Sequence, residues 1–306
     1  MPTRLRNALS AALIALSCLL VPFGALAAWV TYGLADTGRY VTAMAPLAAD
    51  PAVQGAVADT VGAGIMQEVA PRLHPEWEAR DERGTVRPFV RDAVRSFTRT
   101  EAFRTAWEAS NRAVHGAVLS ALQDGRDRAV TVDLAPVTAQ VKRRLTEDHV
   151  PLAHRIPVEH TEVAVLPAHE LDRLRKGYDV LEVAGFWLPV SAAVLAATGI
   201  AVAACRRRAV TATALGSALG GGFLLLALAI GRRLTLADLP EAAHRPAAGA
   251  VYDALTETLR TVSWLLIALG LTVALVCRLT ELFARRRRAS AAPAADPAPG
   301  PTRARV

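Results

Sequence analysis

The apolar positions of the chain fall into four long stretches that contain no charged residue. They run from Ala8 to Ala35, from Val183 to Cys205, from Ala209 to Gly231 and from Thr261 to Cys277. A helix needs about 20 apolar residues to cross roughly 30 Å of hydrocarbon, so the first three are long enough, and an extension through Leu279 helps the fourth. The pattern predicts a mainly α-helical membrane protein with four spans, at 1–35 (which includes a short N-terminal segment), 183–205, 209–231 and 261–279.

Residues 36–182, between the first two predicted spans, have the amphipathic pattern of a folded helical domain. Asp50 followed by Pro51 is typical of a helix start. Apolar side chains recur every four residues from Val53 to Val69, which predicts a stripe that packs against a partner. Pro71 is expected to end this helix.

A further helix is predicted to begin with a capping box, in which Thr98 precedes Glu101 by three residues. Phe103 and Trp107 begin its apolar face, and the Gln-Asp-Gly sequence at 123–125 ends it.

The pattern changes after residue 125. Arg128–Leu134 reads as a short strand, Ala135–Asp148 has helical spacing, and Ile156–Pro167 reads as a second strand. These segments predict a small strand-helix-strand unit. From Ala168 onward helical spacing continues up to the second span, which predicts one helix joining the domain to the membrane.

Arginines cluster beside the predicted spans. Arg4 and Arg6 precede the first span, Arg206–Arg208 separate the second from the third, and Arg285–Arg288 follow the fourth. Basic residues that flank spans remain in the cytoplasm, so both termini are predicted to be cytoplasmic in a multi-pass plasma-membrane protein. The large domain at 36–182 is then extracytoplasmic.

This orientation also separates the charges of the chain. The net charge of +7 and the pI near 10.0 would suit a nucleic-acid partner, but residues 36–182 carry 19 basic and 22 acidic side chains. An outer loop at 232–260, predicted to be amphipathic and partly helical, is neutral. The predicted cytoplasmic pieces carry +10, and they include a disordered tail at 280–306 that is Ala/Pro-rich from Ala289 onward. The basic excess therefore indicates membrane topology and attraction to anionic lipids, and no nucleic-acid partner is predicted.

The first apolar stretch has an alternative interpretation as a cleaved signal peptide. The small residues from Gly24 to Ala28 resemble a cleavage site. However, the uncharged run is much longer than the usual signal core of about 7 to 15 residues, so a retained span is favoured.

Five arginines follow one another at four-residue intervals from Arg83 to Arg99. Arg87, Arg91 and Arg95 are predicted to share one face of a short helix, because four-residue steps drift only about 40° around the axis. Such a row could bind lipid headgroups or an anionic envelope polymer. A solvated face is favoured, since Asp92 is spaced to pair with Arg95.

Metal and catalytic chemistry have little support in the sequence. Motifs of the HExxH, GxSxG and P-loop kinds do not occur, and Cys18, Cys205 and Cys277 lie in or beside spans. The histidines between residues 148 and 170 match no established ligand spacing. We therefore predict no enzyme, no cofactor and no catalytic, cofactor-binding or metal-ligating residue. The histidines of the domain are His74, His115, His149, His154, His160 and His169.

The uncharged spans also disfavour ion-coupled transport, because ionisable residues within spans mark ion pathways. Gly216 and Gly220 have the GxxxG spacing that favours close helix packing. The same glycine-rich span leaves open a conduit for a neutral or lipidic substrate.

Four segments together resemble a group of uncharacterised actinobacterial integral membrane proteins: DTGRYVTAMAPLAADPAVQGAVADTV, FRTAWEASNRAVHGAVLSAL, VTVDLAPVTAQVKRRL and WLPV. The resemblance implies one N-terminal span, an extracytoplasmic helical domain with a strand-helix-strand unit, and a C-terminal cluster of spans. It implies no activity. We expect an envelope binding, sensing or scaffolding protein, with the bilayer and an envelope protein or anionic polymer as partners. The alternatives are the conduit and, with less support, a metal-dependent envelope enzyme.

Overall fold

The computed structural model describes residues 3–69, 83–123, 130–133, 143, 162–166 and 168–290. Within these residues, four helical stretches are long and apolar enough to cross a membrane: Arg4–Leu34, Arg175–Val202, Arg206–Ala237 and Ala242–Arg287. Their outward faces are rich in exposed large apolar side chains. This is the surface that a lipid-embedded bundle presents, and the chain has the architecture of a multi-pass membrane protein.

The described helices are long and mostly follow one another closely along the chain. A π-helical turn at Val30–Leu34 prolongs the first helix, and short 3₁₀ turns occupy Ala45–Ala49 and Ala242–His244. The helices are α1 (Thr3–Trp29), α2 (Thr37–Met44), α3 (Pro51–Val69), α4 (Arg83–Thr98), α5 (Glu101–Gln123), α6 (Ala168–Val202), α7 (Arg206–Ala237) and α8 (Arg245–Ser290).

Helices α1 and α6 form an antiparallel pair tied by side-chain hydrogen bonds. Arg6 donates to the carbonyl of Val202 (3.3 Å), and at the other end Thr31 donates to the carbonyl of Leu181 (3.0 Å). The chain therefore leaves the bundle after α1 and returns through α6 at the same end.

Helices α7 and α8 form a second antiparallel pair. The Tyr252 hydroxyl donates to the carbonyl of Leu228 (3.0 Å), while further along the pair Gly270 lies against the backbone of Ala214. Cys18 of α1 contacts α7 at Gly216, and Pro22 contacts it at Gly220, so α1 and α7 run parallel. The close packing predicted at the GxxxG glycines is confirmed, because a Cβ on Gly216 would collide with the Cys18 sulfur.

The three arginine-rich segments meet at one end of this bundle. Arg6 contacts the end of α6, while Arg206–Arg208 and Arg278 line a common cleft. The parallel and antiparallel pairings produce this arrangement, which gives one end a concentrated positive charge.

Helices α2, α3 and α5 build a small core at the opposite end. Met44, Leu47 and Val53 are buried at its centre, each with at most 6% of its surface exposed. The Trp107 indole donates to the carbonyl of Met44 (2.8 Å) and closes one side. The first turns of α8 complete the core with Ala247, Ala250, Val251, Ala254 and Leu255.

Local signals around α3 and α5 are partly confirmed. The Asp50 carboxylate accepts from the backbone N–H groups of Ala52 (2.8 Å) and Val53 (3.2 Å), as its N-cap role predicts. The capping box at Thr98 is wrong by two residues. Thr100 accepts instead from the N–H of Phe103 (3.3 Å), while Thr98 is buried.

The predicted apolar stripe of α3 is also only partly right. Val53 is buried and Val57 packs against the same core, but Val61 is 44% exposed. The side chains of Ile65 and Val69 lie outside the described part of the structure.

Residues 232–260, predicted to be a partly helical outer loop, are helical over most of their length. Helix α7 continues to Ala237 and α8 begins at Arg245, so only a short connection separates them. Residues 280–290, predicted to begin a disordered tail, belong to α8 instead. Helices α7 and α8 extend this far because each packs against the other, and the first turns of α8 also pack against the helical core.

Two short strands pair antiparallel, β1 (Val130–Asp133) with β2 (Glu162–Leu166). The helix predicted between them, Ala135–Asp148, lies outside the described residues apart from Arg143. The strand-helix-strand unit therefore stays a prediction. Helix α6 runs from Ala168 into the second span without interruption, as predicted.

Candidate functional site

A cleft of about 580 Å³ lies where the helical core meets the bundle. We call it the boundary cleft. Its walls come from the end of α1, from α2 and from the third and fourth turns of α8, so it combines segments more than 200 residues apart. Its lining residues are Trp29, Gly33, Leu34, Asp36, Gly38, Arg39, Tyr40, Thr42, Ala43, Pro46, Ala254, Leu255, Glu257 and Thr258.

The wall at α2 is fixed by two hydrogen bonds. Asp36 accepts from the N–H of Arg39 (2.7 Å) and caps α2. The Arg39 guanidinium donates to the carbonyl of Tyr32 (2.8 Å) in the preceding turn. These contacts hold one carboxylate and one guanidinium at the mouth of the cleft.

Trp29 holds the α8 wall of the boundary cleft in place. The Trp29 indole donates to the carbonyl of Leu255 (3.2 Å) and joins α1 to α8. Glu257 and Thr258, which are exposed, add polar groups beside it. The cleft therefore has an apolar floor and a polar rim of both charge signs, which suits a small amphiphilic ligand or a peptide segment.

His115 of α5 supports the α2 wall of the boundary cleft. Its ring stacks on Tyr40 with centroids 4.2 Å apart, its Nε2 donates to the carbonyl of Leu34 (2.8 Å), and its Nδ1 lies 3.1 Å from the Thr37 hydroxyl. Burial raises the pKa of the Tyr40 hydroxyl, so the phenol stays neutral throughout the physiological range. The imidazole has a structural role, because both nitrogens are engaged.

A second cleft, of about 480 Å³, separates α3 from α4 and contains part of the arginine row. Arg91 forms an ion pair with Asp59 of α3 (2.5 Å), with 49% and 34% of the two side chains exposed. Arg95 and Asp92 line the same cleft. Arg91 is exposed, as a solvated face predicts, and it also joins two helices.

The sequence interpretation missed an ion cluster between α7 and α8. Arg232 donates twice to Asp253, and Arg260 lies 3.4 Å from the same carboxylate. Asp253 and Arg260 are seven residues apart and so share a helix face, which was the available signal. The sequence predicts only a partly helical outer loop over residues 232–260, so this spacing does not by itself indicate an ion pair there.

The side chains of the other five domain histidines, at positions 74, 149, 154, 160 and 169, lie outside the described residues. Among the residues that are described, no group of three or more His, Cys, Asp or Glu side chains could hold a metal ion.

No protein-family model, no curated protein and no solved structure matches this chain. The resemblance to the actinobacterial membrane proteins therefore stays a prediction, and the function must be argued from the geometry.

Proposed function

We propose that the chain is a non-enzymatic plasma-membrane protein that binds or senses an envelope component, or scaffolds envelope proteins, through its helical core. In this proposal the core lies outside the cytoplasm and both termini lie inside. The basic end of the bundle supports that orientation, because arginines flanking spans remain in the cytoplasm.

One observation carries the proposal. The first turns of α8 are part of the helical core, and the same uninterrupted helix continues to the arginine-rich end at Ser290. Helix α6 likewise runs from the domain into the bundle, and its Arg175 donates to the carbonyl groups of Ala121 (3.0 Å) and Leu122 (3.3 Å) at the end of α5. Ligand binding at the boundary cleft would therefore act directly on membrane-spanning helices.

The glycine-rich third span supports this proposal over a conduit. Gly216 and Gly220 lie against α1, while Gly221 faces the backbone of Ser263 on α8. Glycines at these positions close the bundle and leave less space between helices. A metal-dependent enzyme would need the histidines outside the described residues, and metal analysis of the purified chain tests it.

The experiment compares two threonine variants of the full-length protein in membranes. Thr42 is exposed and lines the boundary cleft, so Thr42→Trp should fill it; Thr60 is an exposed threonine on α3 that does not line it. Crosslinking followed by affinity purification should recover an envelope component with the wild type and Thr60→Trp, and lose it with Thr42→Trp. Equal recovery with all three proteins would contradict a role for the cleft, and no reproducible partner with any of them would contradict the proposed function.

A further inference from the structure

A third cleft, of about 740 Å³, opens between helices at the arginine-rich end of the bundle. We call it the basic cleft. Five arginines line it: Arg206, Arg207 and Arg208 from the start of α7, and Arg278 and Arg285 from the end of α8. Two helices therefore contribute to one concentrated positive site.

The acidic side chain in the basic cleft cannot neutralise this charge. Glu281 accepts from Arg285 (2.5 Å) and lies within electrostatic reach of Arg208 and Arg278. Five arginines and one glutamate leave the lining with four positive charges in excess. Guanidinium groups arranged in this way are well suited to phosphate oxygens, which accept several N–H groups at once.

The basic cleft also has an apolar continuation. Leu215 lines it and is 42% exposed, and the same face of α7 continues with Leu219 (75%) and Phe223 (57%). These residues are four apart and so form a stripe parallel to the helix axis. The stripe lies within a helix that is apolar enough to span the membrane. A charged mouth followed by an apolar wall matches a phospholipid better than a soluble anion.

We propose that the basic cleft binds the phosphate headgroup of an anionic phospholipid, with an acyl chain along Leu215, Leu219 and Phe223. Arg208 and Arg278, one from each helix, hold the phosphate between α7 and α8. The volume is within the range of about 300–1,000 Å³ that is usual for small-molecule sites. This site is independent of the proposed envelope function, because it lies at the other end of the bundle.

Lipid titration of the full-length protein in neutral detergent, read by native mass spectrometry, tests the proposal. The probes are phosphatidylglycerol, zwitterionic phosphatidylcholine and soluble glycerol 3-phosphate. Phosphatidylglycerol should bind more tightly than either of the others. Arg208→Gln/Arg278→Gln should weaken its binding about thirty-fold, because two charges next to the phosphate are lost.

Arg286→Gln/Arg287→Gln provides the matched control, since it removes two charges from the same end of α8 without altering the lining of the basic cleft. This control variant should bind phosphatidylglycerol less than about threefold more weakly than the wild type. Glu281→Gln keeps every arginine and should tighten binding about fivefold, which preserves the test if the double variant fails to fold.

Three results would overturn the proposal. Equal weakening by the two double variants would indicate general attraction to a basic surface. Equal affinity for glycerol 3-phosphate would indicate a site for soluble anions, and unchanged affinity in Glu281→Gln would show that the charge in the cleft does not govern binding.

Discussion

Arg232 on α7 and Asp253 on α8 form a two-point ion pair, in which the Nε and Nη2 atoms each lie 3.0 Å from a carboxylate oxygen. The side chains are 42% and 38% exposed, so water screens part of the attraction. The pair fixes the register of α7 against α8 close to the turns of α8 that enter the helical core.

Asp253→Asn should lower the thermal midpoint of the protein in detergent modestly, because the amide offers only one oxygen to two guanidinium groups. A double-mutant cycle with Arg232→Gln should show favourable coupling between the two positions. Additive losses in that cycle would contradict the role of the pair in setting the helix register.

Gly270→Ala should cost about 1–3 kcal/mol of stability, because its new methyl group would collide with the backbone carbonyl of Ala214, which cannot move independently. Gly222→Ala is the control, since a Cβ there meets no atom within 4 Å. Thermal unfolding in detergent measures both. Equal thermal midpoints for the two variants would show that α7 and α8 do not approach each other closely at Gly270.

Asp50→Ala should cost about 1 kcal/mol, because two N–H groups in the first turn of α3 lose their acceptor. Asp50→Asn should retain nearly all of the stability, since asparagine is an equally good N-cap. Thermal unfolding monitored by circular dichroism distinguishes the two. A similar loss in both variants would indicate that the charge of Asp50, rather than its capping oxygen, matters.

The orientation of the bundle can be tested with a native cysteine. Cys205 is exposed at the arginine-rich end, so a membrane-impermeant maleimide should label it only after the cytoplasmic face is opened. In a Cys-free background, Thr60→Cys should show the reverse accessibility. Labelling of Cys205 in intact cells would contradict the assignment of both termini to the cytoplasm.

We expect α1 to be retained as a span. Ser10 and Ser17 donate to the carbonyl groups of Gly199 and Ala192 on α6, both at 2.7 Å, and Cys18 contacts α7. Removal of α1 would expose these surfaces. Protein purified from membranes should therefore retain an N-terminal epitope tag, and its mass should be that of the full chain. A mature protein that begins near Ala28 would identify the first stretch as a signal peptide.

Some of this architecture could be predicted from the sequence alone. The four spans follow from the length of uncharged apolar runs, because the thickness of hydrocarbon sets the length of a crossing helix. The cap at Asp50 follows from contacts within a few residues. The continuity of α6 follows from unbroken helical spacing. In each case the physical cause lies within the segment itself.

Other features were decided by tertiary structure. The start of α8 falls within the predicted partly helical outer loop, and its extent is set by Ala250 and Val251, which pack against the helical core around Met44. Thr98 is buried and its hydroxyl donates to the carbonyl of Arg95 (2.9 Å) in α4, so Thr100 caps α5 in its place. The boundary cleft joins Trp29 to Leu255, and the pairing of Arg91 with Asp59 joins α4 to α3.

The sequence by itself therefore determined which segments can cross a bilayer and where α3 begins, because hydrophobic length and capping act over short distances. Tertiary structure decided which faces meet, how far α7 and α8 extend, and where the clefts lie. These properties depend on side chains from distant segments, whose apolar faces are buried only when the partner helices are in place.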